Sequence, residues 1–250
     1  MLVSSPIISV IIPTYNSAKT LQAAIDSVRS QKYKNIELIV IDGNSTDNTK
    51  NIIDENAEYI TKWVSESDSG IYEAMNKGIE KSTGDWLYFL GSDDQLCDKI
   101  IEKILLFLNS EVDVVYGDVV YDTGYAMRSC VGIRCLLENR LHHQSAFYHR
   151  SLFNDFRYDT LCRVNSDYEL TLRIYLQKRP TVYVPFTIAV CGSTGVSSTL
   201  SSKETNYLRG LYVKNLILNN TLSAILDLYY FYFRTKILAK SALHDLKGFK

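Results

Sequence analysis

Four short apolar runs, each ending in a polar loop that carries aspartate, asparagine or serine, constrain this chain more than any other feature. They are Ile7 to Ile12, Ile36 to Ile41, Tyr59 to Val64 and Trp86 to Leu90. Runs of this kind read as strands, the first, second and fourth of them buried within the sheet. Between them lie segments with apolar residues at helical spacing: Leu21, Ile25 and Val28 within 18–31; Ile52 and Ile53; and Ile71, Met75 and Ile79. A further helix is expected over 99–108 and a further strand from Val112 to Tyr116. Strands alternating with helices imply an α/β fold with a mostly parallel central sheet flanked by helices. Pro13, which lacks the N–H a ladder needs, is expected to stop the first strand.

The loops at 14–16, 42–47, 66–70 and 91–94 all follow strand carboxyl ends, the edge where open α/β sheets bind ligands. That edge gathers Asp42, Asp68, Asp93 and Asp94 from distant parts of the chain. Adjacent carboxylates at the rim of a dry sheet repel unless neutralised, and hard oxygen ligands suit Mg2+ or Mn2+. A cation there in turn suits a phosphate. The competing reading is that these aspartates cap helices, which also begin at such loops.

Beyond residue 117 the pattern loosens. Residues 116–125 suggest a hairpin, and Ala146 to Tyr148 a short strand. Ser166 and Glu169 fit a capping box opening a helix, with Glu169 and Arg173 one turn apart. The small-residue loop from Gly192 to Ser198 is a candidate lid. A net charge of -1 gives no bulk attraction to nucleic acid. Five cysteines without a C-x-x-C pair read as cytosolic thiols, and no run of eighteen apolar residues reads as a membrane span. With no signal peptide legible at the amino terminus, the expected location is the cytoplasm.

The chain resembles family 2 glycosyltransferases of the GT-A fold, of the bacterial surface-polysaccharide kind, over residues 7 to 200. Four blocks in order carry the likeness: Ser9 to Asn16, Val40 to Thr49, Asp68 to Ile79 and Leu90 to Asp94. The resemblance implies a GT-A domain over 1–202, with a nucleotide-binding half (1–120) and an acceptor half (121–202), then a helical extension over 203–250. Pro13, Thr14, Tyr15 and Asn16 would line the nucleotide pocket with Ser92. Asp42 would accept the uracil N3–H, and Asp68 would close the base and ribose side. Asn76 belongs to an Asn-x-Gly block whose Gly78 would let the helix pack near the nucleotide. Asp93 matches the metal-binding member of the D-x-D motif, with Asp94 beside it. The departure is Gly91, where many members carry the motif's first aspartate.

Asp167 falls where the family places its catalytic base, although an aspartate in a first helical turn is stabilised by the dipole without any chemistry. His142 and His143 would reach a metal or an acceptor, or face opposite ways on a strand. Lys77 is either a phosphate contact or an exposed helical lysine. The implied activity is inverting, metal-dependent transfer from a nucleotide-sugar, a UDP-sugar above all, to a glycan or lipid-linked saccharide in O-antigen, capsule or exopolysaccharide synthesis. The rivals are a non-catalytic carbohydrate- or partner-binding protein with a degenerate site, and a nucleotidyltransferase, whose glycine-rich basic loop is missing. Homodimerisation stays open. Residues 222–250 join an apolar, aromatic run to five basic and two acidic groups. That composition suits peripheral contact with the inner face of the membrane or a helix packed on the protein itself.

Overall fold

A computed structural model describes residues 5–162, 164–193 and 202–210. The elements are β1 (Ile8–Thr14), α1 (Leu21–Arg29), β2 (Ile36–Asp42), α2 (Thr49–Glu55), β3 (Lys62–Ser65), α3 (Ile71–Lys81), β4 (Trp86–Phe89) and β5 (Gln95–Leu96). Then come α4 (Ile100–Ile104), β6 (Val114–Tyr121), β7 (Ala126–Arg128), β8 (Ala146–His149), α5 (Ser166–Leu176), β9 (Thr181–Cys191) and α6 (Ser202–Arg209). The strands form one sheet in the order β3-β2-β1-β4-β8-β6-β9-β5, with β7 paired to β6.

All seven residues of β1 are buried because both faces of the sheet are covered. Ile8, Val10 and Ile12 point into a cluster with Leu21, Ile25 and Val28 of α1 and Ile53 of α2. Ile11 points the other way, with Ile39, Ile41 and Phe89, towards Met75 and Ile79 of α3 and Leu170 and Ile174 of α5. The period of two along the strand therefore divides two helical layers, and each helix buries one stripe.

The amino-terminal strands β3, β2, β1 and β4 are mutually parallel. Antiparallel pairing enters with β8, which lies between β4 and β6, so the sheet is mixed and runs unbroken through both halves of the chain. The division at residue 120 falls inside β6. The chain leaves β1 towards β2 on one side and returns to β4 on the other, which puts the switch point between β1 and β4.

Several local expectations shift. Pro13 lies within β1, in register with Ile41. Ile11 faces β4, whose following residue Leu90 donates to the Ile11 carbonyl. Pro13, two residues on, faces the same way past the end of β4, so no ladder bond is lost. The third strand starts at Lys62 because Tyr59 and Ile60 are still bonded to the Asn56 carbonyl at the end of α2. The helix expected over 99–108 is α4 followed by a 3-10 turn at Leu105–Phe107. The capping box is displaced by one residue. Asn165 takes the N-cap, Ser166 begins the helix, and its buried hydroxyl has no hydrogen-bond partner among the described residues. The Glu169–Arg173 pair forms at 3.1 Å. The lid reading at 192–198 and the tail reading at 222–250 fall, from residues 194 and 211 onward, outside the described residues. No helix among the described residues is long and apolar enough to cross a membrane.

Candidate active site

The carboxyl ends of β1, β2 and β3 are in register, so Thr14, Asp42 and Ser65 stand side by side at the sheet edge. Asp42 is fully buried. Its carboxylate accepts from the Ser45 amide at 3.1 and 3.2 Å, from the Ser45 hydroxyl, and from the Ser65 hydroxyl at 2.6 Å. Those bonds fold the loop after β2 back onto its strand. Ser45 also accepts from the Asn16 amide at 2.8 Å, and Asn16 Oδ1 accepts from Thr46 N at 2.9 Å. Asn16 adopts a left-handed backbone with φ 49°, which asparagine tolerates better than most residues. The loops after β1 and β2 are thus bound into one wall. The Tyr15 ring stands 62% exposed on it, and the buried Thr14 hydroxyl lacks a partner among the described residues. Asp68 accepts from Gly70 N at 3.0 Å, and partial burial raises its pKa. Ser92 joins this wall to the β4 loop through a 2.8 Å bond with Ser17.

Three expectations for α3 change. Asn76 Oδ1 accepts from Tyr158 N and its Nδ2 donates to Tyr158 O, both at 2.9 Å, so its amide clamps the main chain at Tyr158 and is not presented to a nucleotide. A Cβ at Gly78 would stand 2.3 Å from Ile11 Cγ2; the close approach it permits is between helix and sheet. Lys77 pairs with Glu66 and Glu73, each at 3.1 Å, and does not serve as a free cation for phosphate.

After β4 the two adjacent aspartates have different surroundings. Asp94 is 3% exposed, with Oδ2 accepting from Gln144 Nε2 at 2.6 Å and Oδ1 from Gly192 N at 2.9 Å. Burial first, and then the neighbouring Asp93 charge, push its pKa up to about 6. Asp93 is half-buried, and no donor reaches its carboxylate among the described residues. A Cβ on Gly91 would lie 2.3 Å from Asp94 Oδ2, and one on Gly192 would lie 2.9 Å from Asp93 Oδ2. The missing first aspartate of the motif therefore has a local cause: the inward Asp94 carboxylate fills the space its side chain would need.

The described residues contain no cluster of three or more side chains able to hold a metal. Mg2+ and Mn2+ sites for nucleotides commonly use one or two carboxylates and complete the shell with phosphate oxygens and water. The free Asp93 carboxylate, at the switch point, fits that pattern. Asp94, with both oxygens engaged, fits it less well.

Asp167 opens α5 on the same edge of the sheet, with a side chain 13% exposed. Its Oδ1 lies 2.9 Å from the Tyr72 hydroxyl, Oδ2 accepts from Asn139 Nδ2 at 2.7 Å, and His143 Nδ1 lies 3.7 Å from Oδ2. Burial works to raise the pKa of this carboxyl, but His143 and the Tyr72 hydroxyl outweigh it and hold it below the usual range. His142 and His143 do not face opposite ways, because the segment turns into a 3-10 helix at His143–Ser145. Their rings stack at 5.6 Å and 10°. Burial pushes the His142 pKa down to about 3, so its ring is neutral. Within this one turn His143 meets Asp167 and Gln144 meets Asp94. Tyr72, Asn139, His143, Gln144, Ser45 and Ser65 therefore complete the site. Only the histidines carried a chemical signal in the sequence.

A mixed sheet with Asp93 at its switch point and a buried, hydrogen-bonded Asp167 on the same edge defines the class of protein: a glycosyltransferase. The profile of Glycosyl transferase family 2 matches residues 9–129. The chain is 33% identical over 214 residues to the PGL/p-HBAD biosynthesis glycosyltransferase of Mycobacterium tuberculosis, covering 80% of this chain and 83% of the relative. It is 37% identical over 121 residues to an uncharacterised glycosyltransferase of Haemophilus influenzae, 46% of this chain and 48% of the relative. The chain belongs to glycosyl transferase family 2. Among solved structures it is similar in fold to S. aureus TarS 1-349 in complex with UDP-GlcNAc, with TM-score 0.70 and 20% identity over 84% of this chain and 67% of that one. It is also similar to the mannosyltransferase PcManGT of Pyrobaculum calidifontis in complex with GDP-Man and Mn2+, with TM-score 0.59 and 19% identity over 87% of this chain and 66% of that one.

Proposed function

We propose that this glycosyltransferase is inverting and metal-dependent, and moves a sugar from a UDP-sugar to a hydroxyl of a glycan or lipid-linked saccharide in surface-polysaccharide synthesis. The observation that carries this reading is the shared edge that holds Asp93, with no donor on its carboxylate among the described residues, at one end and Asp167, held by three neighbours, at the other. The nucleotide lies against the wall built from residues 13–16 and 42–45, closed by Asp68 and Ser92. The uracil N3–H suits an acceptor-only carboxylate, and Asp42, buried with Ser45 and Ser65 on both oxygens, accepts it only as one of those hydroxyls gives way. Asp93 would hold a Mg2+ or Mn2+ ion at the donor diphosphate, and the ion would supply neutralisation of the charge on the leaving nucleotide.

Asp167 is ionised at neutral pH and retains lone pairs beside those used by Tyr72 and Asn139. It takes the proton from an acceptor hydroxyl as that oxygen bonds to the anomeric carbon and the bond to the diphosphate breaks. One displacement inverts the anomeric centre, and no covalent enzyme intermediate forms. Asp94, fixed by Gln144 and Gly192, braces the Asp93 end.

The reading is tested by titrating UDP with and without Mn2+ into the parent chain and Asp93→Asn, and by following UDP release from UDP-sugars with Asp167→Asn. Mn2+ should strengthen UDP binding to the parent and leave Asp93→Asn unaffected. Asp167→Asn should lose roughly 10²–10⁴ in kcat with donor affinity kept. Equal UDP binding with and without Mn2+ in the parent, or a loss of less than tenfold in Asp167→Asn, would sink it.

A further inference from the structure

The tip of the β6–β7 hairpin carries Tyr125, which is 66% exposed. Single exposed aromatics are ordinary on protein surfaces. This one is held in place and continues inward. The Tyr125 carbonyl accepts from Tyr121 N at 2.8 Å, and Gly124 N donates to the Tyr121 carbonyl at 2.8 Å, with Gly124 in the positive-φ region at 82°. The tight turn seats the Tyr125 ring against Tyr121, with centroids 6.0 Å apart and planes at 31°. Tyr121 meets the His142 ring edge-on at 5.8 Å, and its hydroxyl bonds His142 Nε2 at 3.1 Å. His142 stacks on His143, which lies 3.7 Å from Asp167. A continuous series of rings thus leads from solvent to the carboxylate that takes the acceptor's proton.

A pyranose has one face of C–H groups, which packs on an aromatic face, and a rim of hydroxyls, which needs acceptors. Binding sites of this kind combine aromatic walls with a few placed polar groups. The hairpin tip supplies both. Asp122 and Thr123 are exposed in the same turn, and a hydrogen bond from Ser193 holds the Asp122 carboxyl below its usual range, so it is an ionised acceptor. Tyrosine offers a large rigid contact at little cost in side-chain entropy.

We propose that Tyr125, seated on Tyr121, is the outer platform of the acceptor site and stacks on a pyranose ring of a saccharide whose attacking hydroxyl lies at Asp167. The acceptor class that follows is an oligosaccharide longer than one ring, the inner ring at His143 and an outer ring on Tyr125. This rests on the reading of Asp167 as the base, and the test separates the two.

Saturation-transfer NMR with a panel of methyl pyranosides (gluco, galacto, manno and rhamno) and their disaccharides, in the presence of UDP and Mn2+, reads the platform directly. At least one disaccharide should receive saturation at the C–H protons of one ring face. Its affinity should fall roughly tenfold in Tyr125→Ala, the scale of one lost aromatic contact, and stay within about twofold in Tyr125→Phe, which keeps the ring. Asp167→Asn should leave this signal in place. Saturation transfer equal in Tyr125→Ala and the parent, or absent for every glycoside, would overturn the platform while leaving Mn2+-dependent UDP binding, and so the donor reading, untouched. Tyr125-dependent disaccharide binding with no UDP binding would support the platform and sink the donor reading.

Discussion

The sharpest consequence of the site geometry concerns Gly91, where the substitution Gly91→Ala pits two effects of opposite sign against each other. Gly91 is not among the described glycines with positive φ, so alanine meets no backbone penalty there. Restricting the unfolded chain would then stabilise the protein by about 0.4–1 kcal/mol. Against that, the new Cβ would stand 2.3 Å from Asp94 Oδ2 and 3.0 Å from Asp93 Oδ1. Asp94 has to swing away, giving up its bonds from Gln144 Nε2 at 2.6 Å and Gly192 N at 2.9 Å. Hydrogen bonds to a charged group contribute roughly 1.5–3 kcal/mol each, and partial rehydration returns some of it. The net expectation is a loss of about 2–3 kcal/mol. For a chain of this size that lowers Tm by about 5–10 °C. The measurement is equilibrium urea unfolding at pH 8, where Asp94 is ionised, on Gly91→Ala, Asp94→Ala and the double variant. Because Asp94→Ala vacates the contested space, the two losses should fall short of adding by about 2 kcal/mol. A Gly91→Ala protein as stable as its parent, or losses that simply add, would refute the account of why glycine stands at this position.

Two further outcomes follow from the hydrogen-bonded carboxylates. Glu37 is buried, and burial works to raise its pKa, but the Ser9 hydroxyl at 2.6 Å, Thr83 N at 2.8 Å and Lys62 Nζ at 2.9 Å bring it down to about 2. The folded protein therefore binds fewer protons than the unfolded chain between pH 2 and 4.5, so this stability is present above pH 4.5 and lost as pH falls towards 2. Glu37→Gln should cost about 1–2 kcal/mol at pH 7, once screening at the part-exposed Lys62 is allowed for, and flatten that limb, and an unchanged slope in urea unfolding between pH 2 and 5 would count against it. Tyr72→Phe removes the hydroxyl that lies 2.6 Å from Val164 O and 2.9 Å from Asp167 Oδ1 and, after His143, helps hold that carboxyl low, so the acidic limb of the kcat/KM profile should move to higher pH. A limb that stays put would mean that Tyr72 does not set the ionisation of the base.

The strands β1, β2 and β4 were legible because each is a short apolar run, broken only by Ser9 in β1 and Glu37 in β2, as a sheet covered on both faces requires. The loops that follow them carried the donor edge with them. The acceptor side was far less legible, since its contacts join residues distant in sequence. Gln144 meets Asp94 across 50 positions, and Tyr72 meets Asp167 across 95. No local pattern announces such pairs. Asn76 shows a related ambiguity: an amide clamping a distant main chain looks, in sequence, like an amide waiting for a ligand. The displaced capping box is a smaller case, where Asn165 and Ser166 are both good caps and only packing decides between them.

The insertion of β8 between β4 and β6 has a consequence for how the chain is made. During synthesis, β4 emerges long before its second neighbour, and its paired flank on β1 leaves the other flank of Trp86–Phe89 bare. At ordinary translation rates of ~5–20 residues per second, several seconds pass before Ala146–His149 arrives to close it. An aromatic strand with open hydrogen-bonding groups is a template for pairing with any neighbouring nascent chain. A fragment stopped at residue 129, where the family match ends, would keep every loop of the donor edge and leave that template permanently open. The middle strand of the sheet, delivered late, is the seal that closes this flank against pairing with other chains.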